Sequence, residues 1–580
     1  MEGKIKRNKI LLYSVSVFAV AIILFALALG DIRNPLYFWG ALASIPCVGL
    51  GIFLYFRLVR LQNLKQLRAN WGKTRAKKRD FQDLSHYFRR RRPDPQKALI
   101  DDSTWNDLNM NDLFALIDRT LTGPGASVLY CLLRTPCSQE SAQELEHRNK
   151  LISVFQSHPK TREKLQLALL KMGKDNANTI THLLWDPLPP QNSFAFVYTL
   201  LALAALLALP APFFLGSQGY LLIMAVFSLN SIVHYRVRKK YSYQIPSITS
   251  LAALLRTGRI IVRTDLPGLE AEQQQLRKAS SSVQKILRKL GNLWSDSAPT
   301  SDLFFLLQYI QILFLVEIRS FYGALREIKD QIEALRDIYD IVGMLDALQA
   351  VASFRKGLDY VEPRFTSSRC LQVVDIRHPL LSNPVPNSIA IGEKGILITG
   401  SNMAGKSTFL RTLGVNAILA QSLFTCPAGS YLASYLQVAS SISKADDIAQ
   451  QKSLYYAEAE RLLNIIRPEY SNIPALYLID ELLSGTNYTE RLSASKAILN
   501  YLKGKNALVV IATHDLDLAD VLKESYQCYH FSDKIDEASL QFDYLLKQGV
   551  ATTRNAIRLL EHLGYPEEII AEANANHASK

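Results

Sequence analysis

The stretch Gly395-Ile-Leu-Ile-Thr399, which runs into GSNMAGKST (Gly400 to Thr408) and then into FLRTLGVNAILAQ (Phe409 to Gln421), decides the fold class. A short apolar strand, a glycine-bearing loop and an apolar helix, in that order, are the context a phosphate-binding loop requires. Gly400 and Gly405 let backbone amides turn inward around phosphate oxygens, and the helix adds the positive end of its dipole. Lys406 is placed to reach the outer phosphates and Ser407 to ligate magnesium. The C-terminal third is therefore expected to be an α/β nucleotide-binding domain taking ATP with Mg2+.

Two further strands support that expectation. Ala475-Leu-Tyr-Leu-Ile479 is apolar and ends in Asp480-Glu481, the pattern of a Walker B strand. Asp480 would hold magnesium through water, and Glu481 would orient or deprotonate the attacking water. Ala507 to Ala512 is a third apolar strand and ends in Thr513-His514-Asp515. An imidazole there could sense a terminal phosphate, although a lone histidine also reads as structural.

Upstream of Leu371 the chain is helical and, in places, strongly apolar. Leu113, Ile117, Leu121, Val128, Leu132 and Leu133, and later Leu325, Ile328, Ile332, Leu335, Ile338, Val342 and Leu345, recur at three- and four-residue spacing, which predicts amphipathic helices. Ile10 to Gly30 and Leu36 to Phe56 are uncharged and long enough to cross a bilayer, predicting a helical hairpin. Pro187 to Tyr235, with His234 its only ionisable side chain besides tyrosines, predicts a second hairpin around a turn at Gly216 to Gly219. A buried soluble pair of helices is the alternative there, because Pro210 and Pro212 interrupt its first arm.

The net charge of +14 is unevenly placed. Arg57 to Arg92 has only Asp80 and Asp83 as acids, and Arg236 to Arg263 has none. Both runs follow apolar segments, and Lys4, Lys6, Arg7 and Lys9 precede the first, so all basic flanks fall on one side. The positive-inside rule then predicts four spans with both termini in the cytosol, at a bacterial-type inner membrane. The same charge would also suit DNA contact. Six scattered cysteines without C-x-x-C pairs point to neither a disulfide framework nor a zinc site.

The order GSNMAGKST, ADDIAQQKSLYYAEAE (Ala445 to Glu460), LIDELLSGTN (Leu478 to Asn487) and ATHD (Ala512 to Asp515) resembles the ATPase domain of the MutS family. DIRHPLL (Asp375 to Leu381) and PVPNSI (Pro384 to Ile389) resemble its entry, and Gly549 to Asn555 with LGYPEEIIAEA (Leu563 to Ala573) its closing helices. Ile100 to Cys137 and Asp337 to Gly357 are similar to the two ends of the family's helical core. The core is thus split by an insertion, where the family carries lever helices and a DNA clamp and this chain carries the second hairpin.

The resemblance implies that Gly400, Ser401, Asn402, Met403, Ala404, Gly405, Lys406, Ser407 and Thr408 cradle the phosphates, and that Ser407 and Asp480 serve the metal. It implies that Glu481 and His514 act on the terminal phosphate, and that Ser453 reaches the phosphate held by a second subunit, so that sites are completed across a homodimer. On the residues alone, Ser453 also reads as a helix N-cap, and Glu458, which matches a family acid, as a solvated face. Ala404 stands where the family often has glycine. No Phe-x-Glu in a soluble N-terminal domain is present to wedge into a base step, which puts mismatch reading in doubt.

The expected organisation is a hairpin over 1–60, the first part of the core over 61–186, a second hairpin over 187–236, the rest of the core over 237–364, and the ATPase domain with dimerisation helices over 365–580. In fold class this is a set of α-helical membrane hairpins and a helical MutS-type core, joined to an α/β, ABC-class P-loop ATPase domain. The expected partners are a second copy, the lipid bilayer and, through basic surfaces, DNA. The alternative is an ATPase that remodels membrane or handles a partner without DNA.

Overall fold

The computed structural model describes residues 1–32, 40, 42–74, 79–91, 99–173, 177–189, 195–242, 244–290, 309–401, 404–442, 454–466, 473–483, 486–536, 539–550 and 564–578. The chain opens with α1 (Glu2–Ile32) packed along α2 (Ile45–Asn70). Helices α3 (Phe81–Arg90), α4 (Asp102–Asp107), α5 (Met110–Ile117), α6 (Gly123–Arg134), α7 (Ala142–Ser157), α8 (Pro159–Leu170) and α9 (Ala177–Trp185) follow. Next come α10 (Phe196–Ala208), α11 (Ala211–Leu215) and α12 (Ser217–Lys240), and then α13 (Gln244–Arg263), α14 (Glu270–Ser282), α15 (Gln284–Leu290), α16 (Val316–Asp330) and α17 (Ile332–Arg355).

Capping explains where several of these helices start. Asp101 accepts a hydrogen bond from Thr104 N at 2.6 Å to begin α4, and Thr122 accepts from Gly125 N at 3.1 Å to begin α6, with Pro124 in its first turn. The start of α6 is also stitched to α17: the buried Asp346 carboxylate accepts from Leu121 N and Thr122 N at 3.0 and 2.7 Å. A side chain on Gly125 would put its Cβ 2.2 Å from that carboxylate. Residues on either side of the apolar insertion therefore pack directly on one another.

Among the described residues, three helices are long and apolar enough to cross a membrane, spanning Glu2–Leu29, Leu42–Asn70 and Ser217–Lys240. The predicted third arm differs. Helix α10 has 13 residues, short of the roughly 20 a span needs, because the chain breaks before Pro210 and again at Gly216, whose φ is 55°. The turn centres on Gly216 alone, and Gly219 already lies in α12, where a Cβ would come 2.4 Å from Pro212 N. Polar contacts tie α12 to the core: Asn230 Nδ2 donates to Leu313 O at 2.7 Å, and His234 Nε2 lies 3.3 Å from Glu317 of α16.

From Leu371 the predicted change to strands and helices is observed. The strands are β1 (Arg364–Phe365), β2 (Leu371–Ile376), β3 (Asn387–Ile391), β4 (Gly395–Thr399), β5 (Ser430–Ala433), β6 (Gln437–Ser441), β7 (Ala475–Asp480), β8 (Ala507–Ala512), β9 (Tyr526–Asp536) and β10 (Ser539–Gln548). The helices among them are α18 (Lys406–Leu423), α19 (Leu454–Ile466), α20 (Tyr488–Lys503), α21 (Leu516–Leu522) and α22 (Glu567–Ala578). A six-stranded sheet has the order β10-β9-β4-β8-β7-β6, parallel except for β10, and a smaller one the order β1-β5-β2-β3.

Both faces of the large sheet are covered, so its central strands are apolar throughout. Ile396 and Ile398, with Leu508 and Val510, face one core; Leu397, Val509 and Ile511 alternate onto the other. The first core is continuous with that of the helical region. Helix α18 is seated there by its C-terminal end, whose free carbonyls would otherwise be unsatisfied. Cys137 N donates to Gln421 O, Arg148 to Ser422 O, and Arg355 to Leu423 O and Phe424 O, at 2.8–3.1 Å. Guanidinium groups at a helix C-terminus also meet its dipole favourably.

Candidate functional site

Strands β4, β8 and β7 are parallel neighbours with Ile398 and Asp480 both in register with Ala512, so their C-terminal ends reach one rim together. Ligands of open α/β sheets bind beyond this rim. There the sheet gives way to a cavity of about 760 Å³. It is lined by Ser401, Gly405, Lys406, Ser407 and Thr408 from the loop, by Asp480 and Glu481 from the end of β7, and by a wall containing His378, Leu381 to Val385, Phe531 and Tyr544.

The loop has the backbone that its glycines allow. Gly400 and Gly405 take φ of 142° and 103°, which L side chains rarely adopt, and a Cβ on Gly400 would lie 2.7 Å from Phe531 O. Gly405 stands at the N-terminus of α18, so the first amides of that helix face the cavity end. The buried Lys406 bonds through Nζ to Gly400 O at 2.7 Å and Ser401 O at 2.9 Å, which holds its ammonium inside the loop. Ala404 is buried at the foot of the loop. Asn402, Met403 and Ser453 lie outside the described residues.

Ser407 Oγ donates to Asp480 Oδ2 across the gap between α18 and β7. A hydroxyl and a carboxylate in direct contact, next to the lysine, fit a hard cation that completes its shell with water and phosphate oxygens. Glu481 has a φ of 61°, unusual for a residue with a side chain, and is held by its amide bonding Ala512 O at 2.9 Å. Its Oε1 lies 2.6 Å from His514 Nδ1. His514, half exposed, thus touches the glutamate itself, a pairing that the spacing of the two motifs does not reveal.

The far wall went unread in the sequence as site residues. His378 is within the quoted DIRHPLL, but nothing in that run marks its imidazole as facing a ligand. Burial, with the Arg411 guanidinium nearby, pushes its pKa down to about 4, so it is neutral at pH 7. Its Nδ1 accepts from Leu380 N at 3.2 Å, which leaves the proton on Nε2. Tyr544 comes from β10, where its φ of 52° and the bond from Asn387 Nδ2 to its carbonyl at 3.0 Å turn it over Gly405. No motif announces it.

Residues 396–579 match MutS domain V. That region contains every described residue that lines the cavity except those from Ile376 to Asn387. Over 251 residues the chain is 32% identical to the DNA mismatch repair protein MutS of Thermus aquaticus, covering 43% of this chain and 30% of that protein. It is 31% identical over 257 residues to Endonuclease MutS2 of Streptococcus thermophilus, covering 43% and 33%, and 31% identical over 268 residues to Endonuclease MutS2 of Clostridium kluyveri, covering 45% and 34%. The matched part spans about a third of the length of these relatives. A mostly helical chain with a C-terminal α/β region agrees with that match.

Proposed function

We propose that the chain is a membrane-held, MutS-like ATPase of the ABC class that binds ATP with Mg2+ and hydrolyses it at sites completed across a homodimer. The observation that carries this reading is the convergence of Lys406, Ser407, Asp480 and Glu481 on one cavity at the rim of parallel strands. Lys406 and the amides at the start of α18 would draw the phosphate charge, and Ser407 with Asp480 would hold the Mg2+ that neutralises the outer phosphates. Glu481 would orient the attacking water, with His514 fixing the carboxylate; its left-handed backbone is the kind of strain that collects at active sites. Asn402 joins the phosphate cradle, and Ser453 contributes from the second subunit. Lys406→Ala should abolish ATP binding, whereas Glu481→Gln should keep binding and stop turnover; steady-state hydrolysis at the wild-type rate by the Glu481 variant would refute its role.

The membrane part rests on α1, α2 and α12 and on large side chains that would be unfavourable in water, such as Phe25 at 68% exposure and Phe213 at 91%. Four spans, the third made by α10 and α11 together, and an inner-membrane location belong to the same proposal. DNA is the partner suggested by the relatives' names. The alternative, an ATPase acting on membrane or on a protein partner, is favoured by one observation: arginines of the first basic run are engaged within the chain. Arg68 pairs with Glu163, Arg79 with Asp118, Arg90 with Asp186 and Arg91 with Asp340, at 2.6–3.3 Å. Binding of duplex, mismatched and branched DNA at two salt concentrations separates these readings, since phosphate contacts make affinity fall steeply with salt.

A further inference from the structure

Strand β6 is one of the two outer strands of the large sheet, and an outer strand leaves a row of amides without sheet partners. Here the helical core covers it with side chains. Leu99 N bonds to Gln437 Oε1 at 3.0 Å and Gln437 Nε2 returns a bond to Leu99 O. Ser440 N donates to Thr104 Oγ1 at 3.2 Å, and Ile442 N, just past the strand, donates to Asp107 Oδ2 at 2.9 Å. The start of the core, from Leu99 to Asp107, thus lies along the ATPase sheet as a side-chain-bonded edge.

Asp107 does more than cover the strand. It is fully buried, and it meets α18, the end of β6 and α19, of which the first two border the nucleotide cavity. Its Oδ2 also accepts from Ser440 Oγ at 2.9 Å, and its Oδ1 faces the Arg461 guanidinium of α19 at 3.6 Å. Its backbone carbonyl accepts from Arg411 Nε at 2.7 Å, and Arg411 lies in α18, one turn beyond Lys406 and Ser407. Arg411 is also the cation near His378 on the cavity wall. Ile442, whose amide Asp107 holds, itself lines the cavity.

A buried carboxylate must be matched by donors or it destabilises the fold, and removing one partner leaves an uncompensated charge. A displacement of α19 or the end of β6 on binding nucleotide therefore disturbs the Asp107 carboxylate, and one of α18 pulls on its carbonyl, so α4 moves with them. We infer that Asp107 is a positioning residue for ATP hydrolysis, clamping α18, β6 and α19 in their relative places and passing their movement to the helical core through α4 and α5. The inference rests on the ATPase reading above. It adds a residue some 300 positions before the phosphate loop that touches neither ATP nor metal.

The test uses the full chain in detergent micelles, with Asp107→Asn, Arg461→Gln and the double variant. Asp107→Asn keeps the size and one acceptor oxygen for Ser440 and Ile442 but removes the charge that faces Arg461; Arg461 is a quarter exposed, so its replacement spares the buried bonds to Ser440 and Ile442. Each single variant is expected to lower kcat about tenfold with KM changed less than about twofold, and the double variant to be no slower than the worse single one. Hydrogen exchange over residues 102–117 should respond to a non-hydrolysable ATP analogue in the wild type and not in Asp107→Asn. Wild-type kcat in both single variants, a loss that follows KM, multiplicative effects in the double variant, or an unchanged exchange response in Asp107→Asn would overturn the inference while leaving the ATPase reading intact. A wild-type chain that neither binds nor hydrolyses ATP would instead overturn that reading, and this one with it.

Discussion

His378 offers a measurement of how dry the far wall of the cavity is. In the unfolded chain its imidazole titrates near 6.5; in the fold, burial and the Arg411 guanidinium bring it to about 4. The folded protein therefore binds fewer protons than the unfolded chain between these values. Stability from this group is fully present above pH 6.5, falls as pH drops below it, and stops changing below about 4. Integrating the proton difference from pH 7.5 to pH 5 gives a loss of about 2 kcal/mol. For a cooperative unit of roughly 200 residues, that corresponds to a Tm lower by about 4 to 8 °C. The perturbation is His378→Asn, whose side-chain oxygen can take over the bond from Leu380 N while removing the titration. Thermal unfolding of wild type and variant at pH 7.5 and 5 should show the variant losing that much less. Equal falls in Tm for the two proteins would mean that His378 is hydrated, and the neutral-imidazole wall would be wrong.

Two other outcomes follow from the proposed function. A Ser453→Ala chain mixed with a Lys406→Ala chain, each poorly active alone, should regain up to about half of normal activity after subunit exchange, since one of the two sites in a mixed dimer is intact. A linear mixture of two low activities, with exchange confirmed, would make Ser453 only a helix cap. Protease or cysteine-labelling accessibility should place residues 60–186 and 240–580 on the cytosolic side, as one-sided basic flanks require. Complete extraction into buffer without detergent would defeat the membrane reading.

The local parts of this molecule were legible because their causes are local. A strand that runs into a loop closing on glycine-lysine-serine, and another that ends in Asp480-Glu481, carry their geometry in their own residues; β4 spans Gly395–Thr399 as read, and β7 runs one residue beyond Ile479. The apolar stripes from Leu113 to Leu133 are buried for the same reason, since helical period determines a face. The third apolar arm shows the limit. Hydropathy averages over Pro210 and Gly216, whereas the backbone breaks at both, and a hairpin arm of 13 residues results.

What only the tertiary structure decided is which distant residues share a space. Parallel pairing of β4, β8 and β7 brings Ser407 against Asp480 and His514 against Glu481; register does this, and register is not written in any one strand. Tyr544 and His378 close the cavity because β10 and the segment after β2 fold over the loop, and Asp107 reaches the sheet because an outer strand needed its amides covered. Motif spacing records which chemistry a loop can perform. The neighbours that hold a carboxylate in place or keep an imidazole neutral depend on burial and packing across hundreds of residues, and those exist only once the chain has folded.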